Sequence, residues 1–178
     1  NSGDITSQGS YISADNIVLD AENDINLISA ENTNDSQSTQ KSSNAAIGIS
    51  FGSDGFNIYA EASKSKGFTN QSDDQYLETQ LIANNNITLR SGNNTTLEGA
   101  EVRGDSITAD IGGDLTITSQ QDNSTYEQEN KTIGGKAQYG TNSGGSLSMS
   151  KLEANANYLA VQEQSGLFAG DGGFDIEV

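Results

Sequence analysis

The stretch Asn86-Ile87-Thr88-Leu89-Arg90-Ser91-Gly92-Asn93-Asn94-Thr95-Thr96-Leu97 states one short pattern twice: an Asn, a β-favouring residue, then alternation that ends on Leu. The pattern returns at Asp4-Ile5-Thr6, Asn16-Ile17-Val18-Leu19, Asp24-Ile25-Asn26-Leu27, Asp114-Leu115-Thr116-Ile117 and Gly173-Phe174-Asp175-Ile176. Ser106-Ile107-Thr108-Ala109 is a weaker member. The strand starts Ile5, Ile17, Ile25, Ile87, Thr95, Ile107, Leu115 and Phe174 are spaced by 12, 8, 62, 8, 12, 8 and 59 residues. Twelve and eight make a unit of twenty that holds two strands. Each long gap stands where a twelve belongs, which leaves insertions of 50 and 47 residues.

A longer repeat overlies this one. Gly9–Thr33 matches Gly99–Asn123 at an offset of 90, with Gly9/Gly99, Asp15/Asp105, Ile17/Ile107, Asp20/Asp110, Asp24/Asp114 and Ser29/Ser119 identical. Beyond the insertions the offset becomes 87, pairing Ser63-Lys64 with Ser150-Lys151 and Leu89 with Ile176. Module one therefore runs over about 9–98 with an excursion at about 30–82, and module two over about 99–178 with an excursion at about 120–169.

Strands of three to five residues at twelve-then-eight spacing do not pair as isolated hairpins. Stacked every twenty residues, each pairs in parallel with its equivalent one lap later. Asn, Asp and Gly tolerate the left-handed backbone that tight corners demand. The expected fold is all-β: one right-handed parallel β-helix over 1–178, about twenty residues per coil, with two long β-hairpin excursions. An antiparallel sandwich also uses short strands, but it gives no reason for the twenty-residue register to recur on both sides of a long insertion. The solenoid places Ile87 over Ile107 and Thr95 over Leu115.

Within the excursions, Ile47, Ile49 and Phe51 alternate with small or polar residues up to a turn at Ser53-Asp54-Gly55, and Phe56, Ile58, Ala60 and Ala62 alternate on the way back. In the second, Ile133, Ala137 and Tyr139 precede Asn142-Ser143-Gly144-Gly145, and Leu147 and Met149 follow. Each reads as a hairpin with one apolar face. That face either lies along the coil and covers it or meets another molecule or a membrane. The polar flanks, Asn32–Asn44 and Asp122–Lys131, are expected to be loop or loosely paired edge.

Composition narrows the function. Apolar residues make up 32% and the net charge is −17, values close to the disordered class, yet proline is absent and the apolar residues recur at fixed intervals. A solenoid works with a thin core because neighbouring laps supply the rest. Twenty-five carboxylates against eight Lys and Arg repel a phosphate backbone, so no nucleic acid is expected. With neither Cys nor His, there is no disulfide, no thiolate or imidazole metal site and no Ser-His-Asp relay. No run of 18 apolar residues and no signal peptide is present, and the start at Asn1-Ser2-Gly3 and stop in Asp175-Ile176-Glu177-Val178 read as an excised fragment.

Two features invite a chemical reading. Ala169-Gly170-Asp171-Gly172-Gly173-Phe174-Asp175 has the look of a calcium-binding nonapeptide loop, but no tandem copies accompany it, and Asn84-Asn85-Asn86 at the equivalent point carries no carboxylate. A glycine-rich corner is the simpler reading. Asp73-Asp74, or Glu127 with Glu129, could serve glycoside chemistry, yet both pairs fall in polar insertions without the apolar neighbours that raise a carboxyl pKa. No catalytic, cofactor-binding or metal-ligating residue is assigned, no cofactor and no small-molecule substrate is expected, and the chain reads as non-enzymatic.

The run Gly99-Ala100-Glu101-Val102-Arg103-Gly104-Asp105, followed by Gly112-Gly113-Asp114-Leu115-Thr116-Ile117-Thr118-Ser119-Gln120-Gln121-Asp122, resembles the haemagglutinin repeats of filamentous haemagglutinin-like exoproteins. The segment from Tyr158 to Phe174, with Gln164-Ser165-Gly166-Leu167-Phe168-Ala169-Gly170-Asp171 at its centre, is similar to the second haemagglutinin-repeat region of contact-dependent growth inhibition proteins of the CdiA type. The resemblance implies a secreted, cell-surface filament exported by a partner transporter of the outer membrane in two-partner secretion. It also implies flanking repeats in the same polypeptide, contact with the recipient cell's outer membrane, and help in carrying a C-terminal toxin across it. The alternative is the shaft of a filamentous adhesin. In module one, Ala83-Asn84-Asn85-Asn86 stands in place of the Ala-Gly-Asp-Gly-Gly signature.

Overall fold

The residue that precedes each short strand explains why the strand begins there. In the structure of the chain, a computed structural model that describes residues 3–53, 55–141, 143–161 and 164–178, Asp24 Oδ1 accepts the backbone N–H of Asn94 at 2.9 Å, and Asn94 Oδ1 accepts that of Asp114 at 2.9 Å. Asp4 stands in the same relation to Asp24, at 3.4 Å. Each of these side chains satisfies a backbone donor at the start of the next parallel strand, where the ladder has not yet begun.

The described strands are β1 (Ile5–Gln8), β2 (Tyr11–Ala21), β3 (Ile25–Ile28), β4 (Ala30–Gly52), β5 (Gly55–Leu77) and β6 (Thr79–Ser91), then β7 (Thr95–Glu98), β8 (Ala100–Ile111), β9 (Leu115–Thr118), β10 (Asp122–Gly140), β11 (Gly144–Ala160) and β12 (Gly166–Glu177). They divide into two compact units. The first holds Asn1–Thr33, Asp73–Asn123 and Tyr158–Val178; the second holds Asn34–Ser72 and Ser124–Asn157.

The first unit contains two parallel sheets, ordered β1-β3-β7-β9 and β12-β8-β6-β2. In the short-strand sheet Ile5 pairs with Ile25, Ile25 with Thr95, and Thr95 with Leu115. In the other, Ile17 pairs with Ile87, Ile87 with Ile107, and Ile107 with Phe174. The expected superpositions of Ile87 on Ile107 and Thr95 on Leu115 are therefore met, with a register of twenty residues. Inward positions form aliphatic columns in which Ile25, Leu27, Leu81, Ile87, Leu89, Leu97, Val102 and Ile107 are fully buried. The outward residues between them, such as Thr96 and Thr88, are polar, as the period of two requires.

The long strands of this unit extend beyond the expected ones. Residues 79–83 and 100–103 add a second pairing segment ahead of Ile87 and Ile107, and the register shifts between Ile82 and Asn86 where the two segments join. Leu81, Ala83, Ala100 and Val102 deepen the core from there. Buried hydroxyls pin the points where the chain returns from each excursion. Thr79 Oγ1 donates to the Ile28 carbonyl at 2.6 Å and accepts the Ser10 N–H at 3.2 Å. Ser165 Oγ accepts the Ala100 N–H at 3.1 Å, while its own N–H donates to Ser119 Oγ at 3.0 Å.

Two expectations about the excursions need correction. Asn32–Asn44 and Asp122–Lys131 belong to β4 and β10 and are strand, not loop; β4 does lie at a sheet edge, but β10 is an interior strand. The hairpins also do not place their apolar faces against a coil, since Ile47 is 85% exposed and Leu147 is 92% exposed. They pair with each other. The turn residues Asp54 and Asn142, together with Asn1, Ser2, Gln162 and Glu163, lie outside the described residues.

The columns predict a sharp contrast in stability. Leu97→Ala should cost about 2–5 kcal/mol, whereas Thr96→Ala, one residue away on the outer face, should stay within about 0.5 kcal/mol. Gly99 has φ +62°, and a Cβ there would approach Ser29 Cβ to 2.6 Å, so Gly99→Val should cost about 2 kcal/mol or more. Urea denaturation of the three variants measures all of these.

Candidate functional site

The second unit is a single antiparallel sheet ordered β11-β10-β5-β4. Its register follows from cross-strand contacts. Gln37 donates to Asn70 at 3.1 Å, and Ser72 bonds Asp35; the Thr141 N–H donates to the Phe56 carbonyl at 3.1 Å, and Ser65 bonds Asn130 and Thr132. Ser148 Oγ donates to the Gly134 carbonyl at 3.3 Å. Because directly opposed residues share a face, these contacts sort every position to one side or the other.

One face is mostly Ser, Gly, Gln, Asn and Thr, joined by Glu61, Tyr126 and Leu152, with Tyr59 under Lys136, whose ammonium lies 4.9 Å from the ring centroid. The opposite face is apolar towards the turns. Ile49 and Phe51 on β4, Phe56 and Ile58 on β5, Ile133 and Tyr139 on β10, and Leu147 and Met149 on β11 all point the same way, and all are exposed. Phe51 and Phe56 touch, with ring centroids 5.0 Å apart. Small residues between them, among them Ala60, Ala62, Gly135 and Ala137, leave a shallow trough of about 620 Å³ that is bounded by Leu147.

Below the apolar zone, away from the turns, the same register aligns one lysine from each strand: Lys41, Lys66, Lys131 and Lys151. Lys64 lies on the same face, one row nearer the turns. Glu129 and Glu153 form the next row down, where Lys131 pairs with Glu129 and Lys151 with Glu153. The Lys131 hydrogen bond holds the Glu129 carboxyl below its usual range, against an opposing desolvation effect, and the Glu153 hydrogen bond holds the Lys151 ammonium above its usual range. Each contact favours the charged form of the group it shifts, Glu129 in the first pair and Lys151 in the second. Among the described residues Lys41, Lys64 and Lys66 have no ion pair, and no carboxylate shares their face between the lysine row and the turns.

Charge divides unevenly between the units. All six lysines of the sequence lie in the second unit, against six carboxylates, Asp35, Asp54, Glu61, Glu127, Glu129 and Glu153. That unit is neutral. The remaining nineteen carboxylates, against Arg90 and Arg103 alone, give the first unit the whole formal charge of −17.

Of the carboxylate pairs considered for chemistry, Asp73 and Asp74 lie near the end of β5, while Glu127 and Glu129 lie two residues apart on one face of β10, where Glu129 is paired with Lys131. In the glycine-rich segment the Asp171 N–H donates to Asp105 at 3.1 Å, and a Cβ on Gly172 would come within 2.7 Å of Ser106 Cβ. Glycine there lets β12 pass over the corner of β8. The run that begins at Gly99 is explained by packing as well: Ala100 and Val102 point inward, Glu101 is buried beside Arg103, and Arg103 lies 4.9 Å from the Phe168 ring centroid. The lysine row was missed in the sequence. Its signal was present, since Lys41 and Lys66 are equidistant from one turn, and Lys131 and Lys151 from the other.

Comparison with known proteins places these features in a family. The model of the hemagglutinin repeat matches residues 1–133. Over 184 aligned residues, 99% of the chain, the sequence is 40% identical to Deoxyribonuclease CdiA of Dickeya dadantii (strain 3937). Over its full length it is 39% identical to Toxin CdiA of Escherichia coli and 37% identical to tRNA nuclease CdiA of Escherichia coli (strain NC101). The chain spans about 6% of the length of each of these relatives. The chain belongs to the hemagglutinin-repeat family, in the form carried by the CdiA proteins.

Proposed function

We propose that the chain is a non-catalytic segment of a secreted bacterial surface exoprotein that helps deliver a C-terminal toxin across the outer membrane of a recipient cell in contact-dependent growth inhibition. The parallel sheets act as the walls of a right-handed β-helix of about twenty residues per coil, built from two modules at about 9–98 and 99–178. Flanking repeats of the same polypeptide stack on it, and an outer-membrane transporter exports it. A rigid coil of this kind carries the hairpins outward from the producing cell, and the hairpins make the contact with the recipient.

One observation carries this reading: an amphipathic sheet with an exposed apolar face, in a chain that is otherwise polar and acidic. Large exposed apolar patches mark interaction or membrane surfaces, and a spacer has no need of one. The names of the relatives, which include a toxin, a deoxyribonuclease and a tRNA nuclease, agree with a delivery role for the parent protein. The laps themselves keep their register without residues 45–62 and 133–149. Deleting both stretches from the parent should therefore leave export and surface display intact while toxin entry into target cells falls. Target-cell killing in co-culture measures it; killing at the undiminished level would reduce the hairpins to packing elements and leave the adhesin shaft as the better description.

A further inference from the structure

The geometry points to the apolar face of the β11-β10-β5-β4 sheet as a binding site for anionic, phosphate-bearing lipid at a bilayer surface, in which Ile49, Phe51, Phe56, Ile58, Leu147 and Met149 enter the acyl region and the lysine row Lys41, Lys66, Lys131 and Lys151, with Lys64, meets the headgroup phosphates. This deepens the membrane-contact reading above and rests on it.

Charge selects the occupant. Six lysines in a chain with 25 carboxylates are all placed in one unit, and five of them lie in two adjacent rows on one face. A random surface distribution does not produce that. The same face holds no carboxylate among the described residues from the lysine row to the turns, so an anionic plane can approach it without repulsion from its own side chains. An amphipathic surface that couples apolar area to a basic flank is the pattern that binds anionic membrane interfaces. Lysine suits the boundary because its alkyl stem lies along apolar surface while the ammonium stays at the polar level. The apolar zone runs for about ten residues along each strand, on the order of 30 Å, enough to immerse the tip of the sheet obliquely. The edges β4 and β11 leave backbone groups without a sheet partner, which excludes spanning the hydrocarbon as four strands alone. The four strands by themselves therefore lie in the interface.

A second copy of the same face is the competing occupant. Packed with the same strand direction, it would set one lysine row on another, whereas a phosphate surface supplies counter-charge to Lys41, Lys64 and Lys66, which have no ion pair among the described residues.

The test uses the whole 178-residue chain and vesicles of phosphatidylcholine with or without phosphatidylglycerol. The chain should float with the phosphatidylglycerol vesicles and not with phosphatidylcholine alone. Lys41→Gln, Lys64→Gln and Lys66→Gln together should weaken partitioning roughly 100-fold, and added salt should do the same. These three lysines lie outside the Glu129 and Glu153 pairs, so the fold should not depend on them. The sequence lacks Trp, which allows single Trp reporters: Leu147→Trp should be quenched by brominated acyl chains, and Ser148→Trp, on the polar face, should not. Equal partitioning into both vesicle types, or equal quenching at the two positions, overturns the proposal. So does a stable dimer whose Leu147→Trp emission is already blue-shifted without lipid. If the chain ignores all vesicles while the hairpin deletion still abolishes delivery, lipid is rejected as the occupant and the delivery reading stands. If vesicle binding is normal and delivery survives the deletion, the lipid site stands and the delivery reading is rejected.

Discussion

The backbone ladder between parallel strands organises the first unit, and it constrains nearly every residue of its two sheets. Interstrand N–H and C=O groups pair only if each lap takes the same number of residues as the last, so any change in length must be absorbed at a corner or expelled as an excursion. The corners are where the ladder is weakest, and there side chains take over. The column Asp4, Asp24, Asn94, Asp114 passes a hydrogen bond from each lap to the next. The buried pair Ser91 and Thr95, 2.9 Å apart, closes the inner side of the same corner. A thin core suffices in such an arrangement, because each inward Ile or Leu is covered above and below by its own equivalent. That is how a chain with only 32% apolar residues folds.

The parts of the fold that were legible in the sequence are those where a local signal and the global register agree. Ile25, Thr95 and Leu115 could be aligned because each follows an Asx residue of one hydrogen-bonded column. The hairpin tips were legible through the alternation of Ile47, Ile49 and Phe51. Residues 79–83 and 100–103 were not, because a bulge between Ile82 and Asn86 breaks the alternation that links them to Ile87 and so hides one strand as the lead-in to another. Asn32–Asn44 and Asp122–Lys131 gave a loop-like reading for a different reason: a sheet exposed on both faces has no need of apolar residues at half its positions. Thr79 and Ser165 were silent because a buried hydroxyl looks like any other Thr or Ser until its partners are known. The pairing of the two hairpins, and with it the lysine row, depends on contacts between residues 65 to 85 positions apart, beyond the reach of local pattern.

The division of charge has consequences of its own. A unit with nineteen carboxylates and two arginines repels its like, which opposes side-by-side association of polar laps. A sheet with a large apolar face needs the same protection more urgently, yet it carries no net charge. Its solubility must come from Ser, Asn and Gln on one side and from the lysine row on the other. Nature protects exposed sheet edges with lysine, and here the four-residue row crosses the sheet instead of following its edge. That orientation does little for the edges; it marks a boundary between an apolar end and a charged end of one face.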